Sequence, residues 1–134
     1  MHMRAVTLGL LMAGMAVPVC AAPLASTASK FLGSAYGAQQ APEFARYWNK
    51  LTPENGGKWG SVEAVRDQMD WSTLDAAYRF AQANNMPFQM HVMVWGNQQP
   101  EWIKTLRPAQ QRREIEQWFA PLRSATRTSR CLKW

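Results

Sequence analysis

At 134 residues the chain has room for one small domain. Its formal net charge of +6 points toward a nucleic acid or a membrane surface, yet residues 23–120 hold ten Lys and Arg against nine Asp and Glu, a net of +1. The excess sits at the ends, in Arg4, Arg123, Arg127, Arg130 and Lys133, which excludes nucleic-acid binding through a basic patch on a folded surface.

The first 22 residues read as a secretory signal peptide. Arg4 gives a positive start, Ala5 to Val17 is an uncharged apolar run, and Val19-Cys20-Ala21 offers small residues for cleavage. The run is too short to span a bilayer, so the expectation is a secreted or periplasmic protein with no membrane segment after cleavage. Cys20 leaves with the signal and Cys131 then stands alone. With His2 and His91 the sole histidines, neither a disulfide framework nor a zinc site is expected, and no metal or cofactor is called for.

Residues 22–30 form a small polar linker. Phe31 to Tyr36 is an apolar run ending at Gly37, a first strand. Phe44, Tyr47 and Trp48 recur at helical spacing in Pro42–Trp48, and Asn49–Thr52 makes a second strand. Pro53 stops central-strand pairing there, and Gly56-Gly57 mark a loop. Ser72 or Thr73 can cap a second helix whose apolar stripe is Leu74, Ala77, Tyr78 and Ala81, closed by Asn84-Asn85 and Pro87. Phe88 to Trp95 reads as a third strand. A third helix begins at Pro108, with Ile115, Trp118 and Phe119 in helical register. Arg112, Arg113, Glu114 and Glu116 read as its solvated face.

This alternation of strand and helix is the rhythm of a parallel α/β architecture. Two polar clusters follow strand ends: Thr52-Pro53-Glu54-Asn55-Gly56-Gly57-Lys58-Trp59, and His91-Val92-Met93-Val94-Trp95-Gly96-Asn97-Gln98-Gln99-Pro100-Glu101-Trp102. Short polar forks beside indole faces suit a hydroxyl-rich ligand, and loops at one rim of a parallel sheet are where such sites are built.

With those residues in view, the chain from about Phe31 to Phe119 resembles the glycoside hydrolase family 10 endo-1,4-β-xylanases. The family's Thr-Pro-Glu-Asn-x-x-Lys-Trp run is met in full by Thr52, Pro53, Glu54, Asn55, Lys58 and Trp59. Its Gly-His-x-x-Val-Trp-His-x-Gln-x-Pro-x-Trp run is met by His91, Val94, Trp95, Gln98, Pro100 and Trp102. Met90 replaces the Gly and Gly96 replaces the second His, so one donor near the substrate is missing.

The resemblance implies an α/β fold made of the first three βα units of a (β/α)₈ TIM barrel. It implies a cleft for xylan or xylo-oligosaccharide, with Glu54, Asn55, Lys58, His91, Trp95 and Gln98 as substrate-binding residues. Trp95 is expected to pack in the barrel and show the sugar an edge; Trp59 and Trp102 are expected to be structural. The family hydrolyses β-1,4-xylosidic bonds with retention. That chemistry needs an acid/base and a nucleophile with carboxyl groups roughly 5–5.5 Å apart. In the family these are glutamates ending the fourth and seventh strands, and neither position falls in this sequence.

Family-like pattern stops near Ala120. Residues 121–134 form a basic tail without acids, rich in Arg, Ser and Thr, as a shifted reading frame would produce. Pro121 inside a helix would cost about 3 kcal/mol. Three readings follow: the N-terminal part of a xylanase barrel that is inactive alone, a xylan-binding fragment, or the non-functional product of a frameshifted gene. Three βα units would also leave open strand edges that template aggregation.

Overall fold

The computed structural model describes residues 24–128, with side chains through 123, so the signal-peptide reading and the last six residues of the tail lie outside the described residues. Two strands, β1 (Gly33–Tyr36) and β2 (Lys50–Pro53), pair in parallel, Gly33 opposite Lys50 and Tyr36 opposite Pro53. Parallel strands need a crossover, and here it is a short 3-10 turn, Ala38–Gln40, running into helix α1 (Ala41–Tyr47). Pro42 sits at the start of α1, where its missing N–H costs no bond. Phe44 is its one buried residue, meeting Tyr36 edge-on at 5.1 Å.

After β2 the polar loop turns into a one-turn helix, α2 (Trp59–Val62), which the sequence pattern did not announce. Helix α3 (Ser72–Ala83) buries Leu74, Ala77 and Ala81, as its stripe predicts. Its start differs from expectation. Neither Ser72 nor Thr73 caps it; the Asp70 carboxylate accepts the Ser72 N–H at 2.9 Å. Asn85, at φ 53°, closes the other end in the left-handed region that Asn tolerates.

The predicted third strand, Phe88–Trp95, is a correction. It contracts to a single parallel bridge between Leu51 and Phe88, held by Leu51 N–H to Pro87 O at 3.0 Å and Gln89 N–H to Leu51 O at 2.9 Å. Beyond Gln89 no further bridge to β2 forms, and among the described residues no strand lies on the segment's other side. An extended ladder with one neighbour is weakly specified, and the chain leaves it for an irregular path that includes a cis His91–Val92 peptide.

A 3-10 turn, Glu101–Thr105, then leads into α4 (Pro108–Thr128). This helix does not stop at Ala120; it runs through Pro121, and Leu122 packs against the core. The apolar interior has two parts that meet. Tyr36, Phe44, Leu51 and Phe88 line the sheet side, while Trp59, Val62, Ile103 and Trp118 line the α4 side. Trp118, with no exposed surface, is sandwiched between Trp59 at 5.8 Å and Trp71 at 5.2 Å. No described helix is long and apolar enough to cross a membrane.

Candidate functional site

The first loop is delivered by β2. Glu54 N–H donates to Tyr36 O at 3.0 Å, extending the β1 pairing by one bond, and Lys58 N–H donates to Asn55 O at 3.0 Å to close the turn. Lys58 is only 7% exposed, so its ammonium must find partners close at hand. It donates to Asn55 Oδ1 at 2.9 Å and lies 5.4 Å from the centroid of the Trp95 ring. A side-chain carbonyl and an indole face therefore share the charge. A Lys ammonium carries three N–H donors, of which Asn55 takes one.

The second loop reaches the same point. Gln98 Nε2 donates to Asn55 Oδ1 at 3.4 Å, a long bond, while the Gln98 main-chain carbonyl accepts the Gly60 N–H at 3.1 Å. Close approach explains two glycines. A Cβ at Gly57 would stand 2.9 Å from Met90 Sδ and 3.1 Å from His91 O, and one at Gly60 would stand 2.8 Å from Gln98 O. Any side chain at either position would push the loops apart.

Asn55, Lys58, Trp95 and Gln98 thus touch one another. Glu54 adjoins them along the chain and is exposed, and His91 meets the first loop through its carbonyl while its side chain faces solvent. Trp95 departs from expectation: it is 45% exposed rather than packed, with Lys58 on its face. At Gly96, where the family pattern has a second His, a Cβ would meet nothing within 4 Å.

Behind the loops stands a wall that the sequence pattern only half revealed. Trp59 and Trp102 are structural, meeting edge-on at 5.8 Å, and Trp59 is 2% exposed. Their organiser is Glu63, a buried carboxylate one helical turn after Trp59. Its Oε2 accepts Trp59 Nε1–H at 2.7 Å, its Oε1 accepts Asp67 N–H at 2.9 Å, and its main-chain carbonyl accepts Trp102 Nε1–H at 2.9 Å. One residue therefore holds the closing tryptophan of each motif. The Trp59 to Glu63 spacing of four was the available signal.

Glu114 corrects the solvated-face reading of α4. Arg112 and Glu116 are exposed, but Glu114 is buried and takes the Arg66 guanidinium. That carboxylate raises the Arg66 pKa further, with Asp67 and Glu63 adding to it. Carboxylate oxygens of Glu63, Asp67 and Glu114 lie within 4.8 Å of one another. Protein N–H donors and Arg66 already serve them, so they bind the loop to α4.

An open cleft of about 490 Å³ is lined by Glu54 and Asn55 but not by Lys58. Tyr36 and Gln39 form one side and Ser72, Thr73 and Ala76 the other; His91, Trp95 and Gln98 do not line it. Burial pushes the Tyr36 phenol up. The hydroxyl and backbone N–H of Ser72 hold the Asp70 carboxylate below its ordinary value of 3.8.

The model of glycosyl hydrolase family 10 matches residues 20–134. The chain belongs to that family. Endo-1,4-beta-xylanase B of Cellvibrio japonicus is 46% identical over 94 residues, 69% of this chain but 16% of that enzyme. A xylanase from Thermotoga petrophila, solved with xylobiose, superposes with a TM-score of 0.67 at 26% identity, over 81% of this chain and 37% of its own. A glycosylated family 10 endo-beta-1,4-xylanase from Gloeophyllum trabeum gives a TM-score of 0.70 at 23% identity, over 80% of this chain and 37% of its own. The described residues are accordingly a partial α/β unit of a TIM barrel, with the loops after β2 and after Phe88 at one rim. The chain spans about a sixth of the Cellvibrio japonicus xylanase and just over a third of these two barrels.

Proposed function

We propose that this chain forms the non-reducing-side sugar wall of an endo-1,4-β-xylanase barrel, exported through its N-terminal segment. Glu54, Asn55, Lys58, His91, Trp95 and Gln98 hold xylose units of xylan or a xylo-oligosaccharide. One observation carries the reading: Lys58 from the first loop and Gln98 from the second converge on a single oxygen, Asn55 Oδ1. That convergence presents amide, ammonium and indole groups side by side, as a polyhydroxylated ring requires.

The bond-breaking step of the family lies with carboxylates that this cluster lacks. In retention, one glutamate attacks the anomeric carbon while a second protonates the departing glycosidic oxygen. Water, deprotonated by the second, then cleaves the glycosyl ester. Glu54 is the one carboxylate in the cluster, and one carboxylate cannot fill both roles. The expected behaviour of the 134-residue chain is therefore binding without cutting. Affinity electrophoresis in a xylan-loaded gel, with a reducing-sugar assay on the same sample, tests this. Retarded mobility with no released sugar supports the reading; unchanged mobility removes the binding, and released sugar removes the division of labour.

A second reading, an inactive product that fails to stay soluble, is favoured by exposed apolar groups. Phe31 is 63% exposed, Trp95 45% and Val94 38%, and the outer edge of β1 has no strand neighbour among the described residues. Gel filtration separates the two readings, since a monomer peak supports binding and aggregate in the void volume supports this one.

A further inference from the structure

The contact between Lys58 and the Trp95 ring joins the two motif loops, and both sides of it lead back to one side chain. Trp59, the residue after Lys58, stacks on Trp118 at 5.8 Å. Met93, two residues before Trp95, accepts Trp118 Nε1–H at its main-chain carbonyl, at 2.6 Å. We propose that Trp118 of α4 is a positioning residue for the sugar wall, setting the distance between the Lys58 ammonium and the Trp95 indole from behind. Its effect on binding rests on the sugar-wall reading; the contact it sets does not.

Stacking leaves the Trp118 ring one orientation. It has no exposed surface, and it lies between Trp59 and Trp71 at interplanar angles of 16° and 5°. Turning the ring would break both stacks, so the direction of its N–H is fixed. An indole can only donate, and the Met93 carbonyl is what it finds. That carbonyl sits in a stretch with little else to hold it. On one side is the bond from Gln89 N–H to Leu51 O, and on the other are the contacts of Gln98 with Asn55 and Gly60. Among the described residues, the Trp118 bond is the hydrogen bond that ties residues 90–97 to another element.

Magnitudes show how narrow the margin is. Lys58 Nζ stands 5.4 Å from the Trp95 ring centroid. A cation–π contact holds within about 6 Å of the centroid, so a retreat of Trp95 by roughly 1 Å ends it. Trp95 is 45% exposed, and little packing resists such a shift. The Gln98 bond to Asn55, at 3.4 Å, is too long to hold the loop in its place.

The test compares the 134-residue chain with Trp118→Phe, which keeps a ring between Trp59 and Trp71 and removes the N–H. Phe44→Leu, in the sheet-side half of the core, controls for lost stability without touching either loop. Two quantities are read: the ring-current shift of the Lys58 side-chain protons by nuclear magnetic resonance, assigned with Trp95→Ala, and xylotriose affinity by calorimetry. Trp118→Phe should lose at least about half of the ring-current shift and bind xylotriose about tenfold more weakly. Phe44→Leu should keep the shift and keep the affinity within twofold. An ester in place of the Met93–Val94 amide leaves every side chain intact and weakens the Met93 carbonyl as an acceptor. It should move both readouts the same way by less, and it carries the test if Trp118→Phe does not fold. An unmoved shift in Trp118→Phe or in the ester, or an equal loss in Phe44→Leu, would overturn the proposal. If the shift collapses while xylotriose affinity holds, Trp118 sets a contact that the sugar does not use, and its part in binding is wrong. If the shift collapses and no protein binds xylotriose, the positioning of Lys58 and Trp95 stands and the sugar-wall reading falls.

Discussion

The two motif loops come from similar sequence and reach one site, yet the structure builds them differently. The loop after β2 leaves a strand that is paired on both sides, by β1 along four residues and by the Phe88 bridge. The loop after Phe88 leaves a segment with one such contact, and it is held instead mainly by side chains: Trp118 Nε1–H to Met93 O at 2.6 Å, Trp102 Nε1–H to the Glu63 main-chain carbonyl and Gln98 Nε2–H to Asn55, with one backbone bond from Gly60 N–H to Gln98 O. Backbone ladders fix the first loop; tryptophan N–H groups and main-chain carbonyls fix the second.

The difference is sharpest where those side-chain anchors are removed. Trp118→Ala deletes the indole between Trp59 and Trp71 and the bond to Met93, a change that costs about 3–5 kcal/mol in a packed core. Denaturant unfolding should show the transition shifted to much lower concentration or lost. A shift no greater than that of a surface substitution would mean that the second segment does not depend on α4.

Glu63→Ala comes next. It strands the Trp59 indole N–H and the Asp67 amide, at about 1–3 kcal/mol for each buried group left unpaired. Glu63→Gln should cost less, because its carbonyl still accepts one of the two donors. Xylotriose affinity should fall in both variants in the same order, as Trp59 behind the first loop loses its partner while the Glu63 main-chain carbonyl still holds Trp102. Equal affinity in all three proteins would make Glu63 a purely structural residue.

Lys58→Ala acts on the contact between loops, removing the group that joins Asn55 to Trp95. Xylotriose binding should weaken about tenfold or more, the loss of one charge-assisted hydrogen bond. Calorimetry with a far-UV circular dichroism control reads this directly, and an unchanged affinity would place the sugar elsewhere.

The smallest effect is on pH. Asp70 in the folded chain titrates below its ordinary value of 3.8 because Ser72 stabilises the carboxylate. The folded value is the depressed one, so this contribution is complete above the ordinary value and is lost as pH falls through the lower folded value. Hydrogen exchange of the Ser72 amide should accelerate in that acid window relative to its neighbours, and Asp70→Asn should remove the pH dependence. Exchange that tracks the rest of α3 through the window would contradict the assignment.

How much of this was legible beforehand follows the same division. β1, β2, α3 and the start of α4 announce themselves because apolar spacing, Pro42, Pro108 and Asn85 act locally. The cluster of Asn55, Lys58, Trp95 and Gln98 was legible through two long motifs. The third strand was not legible as a failure, because Phe88 to Trp95 has strand composition, whereas among the described residues it makes one bridge, to Leu51. Glu114 and Trp95 were misread for a related reason. Helical position says which face a residue is on, not that Arg66 will arrive from 48 residues away, and motif membership does not say what covers an indole. Nor does a proline rule foresee α4 running through Pro121, with Leu122 packed on the core.

The most direct test is a calorimetric titration of xylotriose into the 134-residue chain and into Asn55→Ala. Saturable binding that Asn55→Ala weakens about tenfold or more is the result expected if one amide oxygen joins both loops in a sugar site. Equal affinity in the two proteins, or no binding to the unaltered chain, would contradict it.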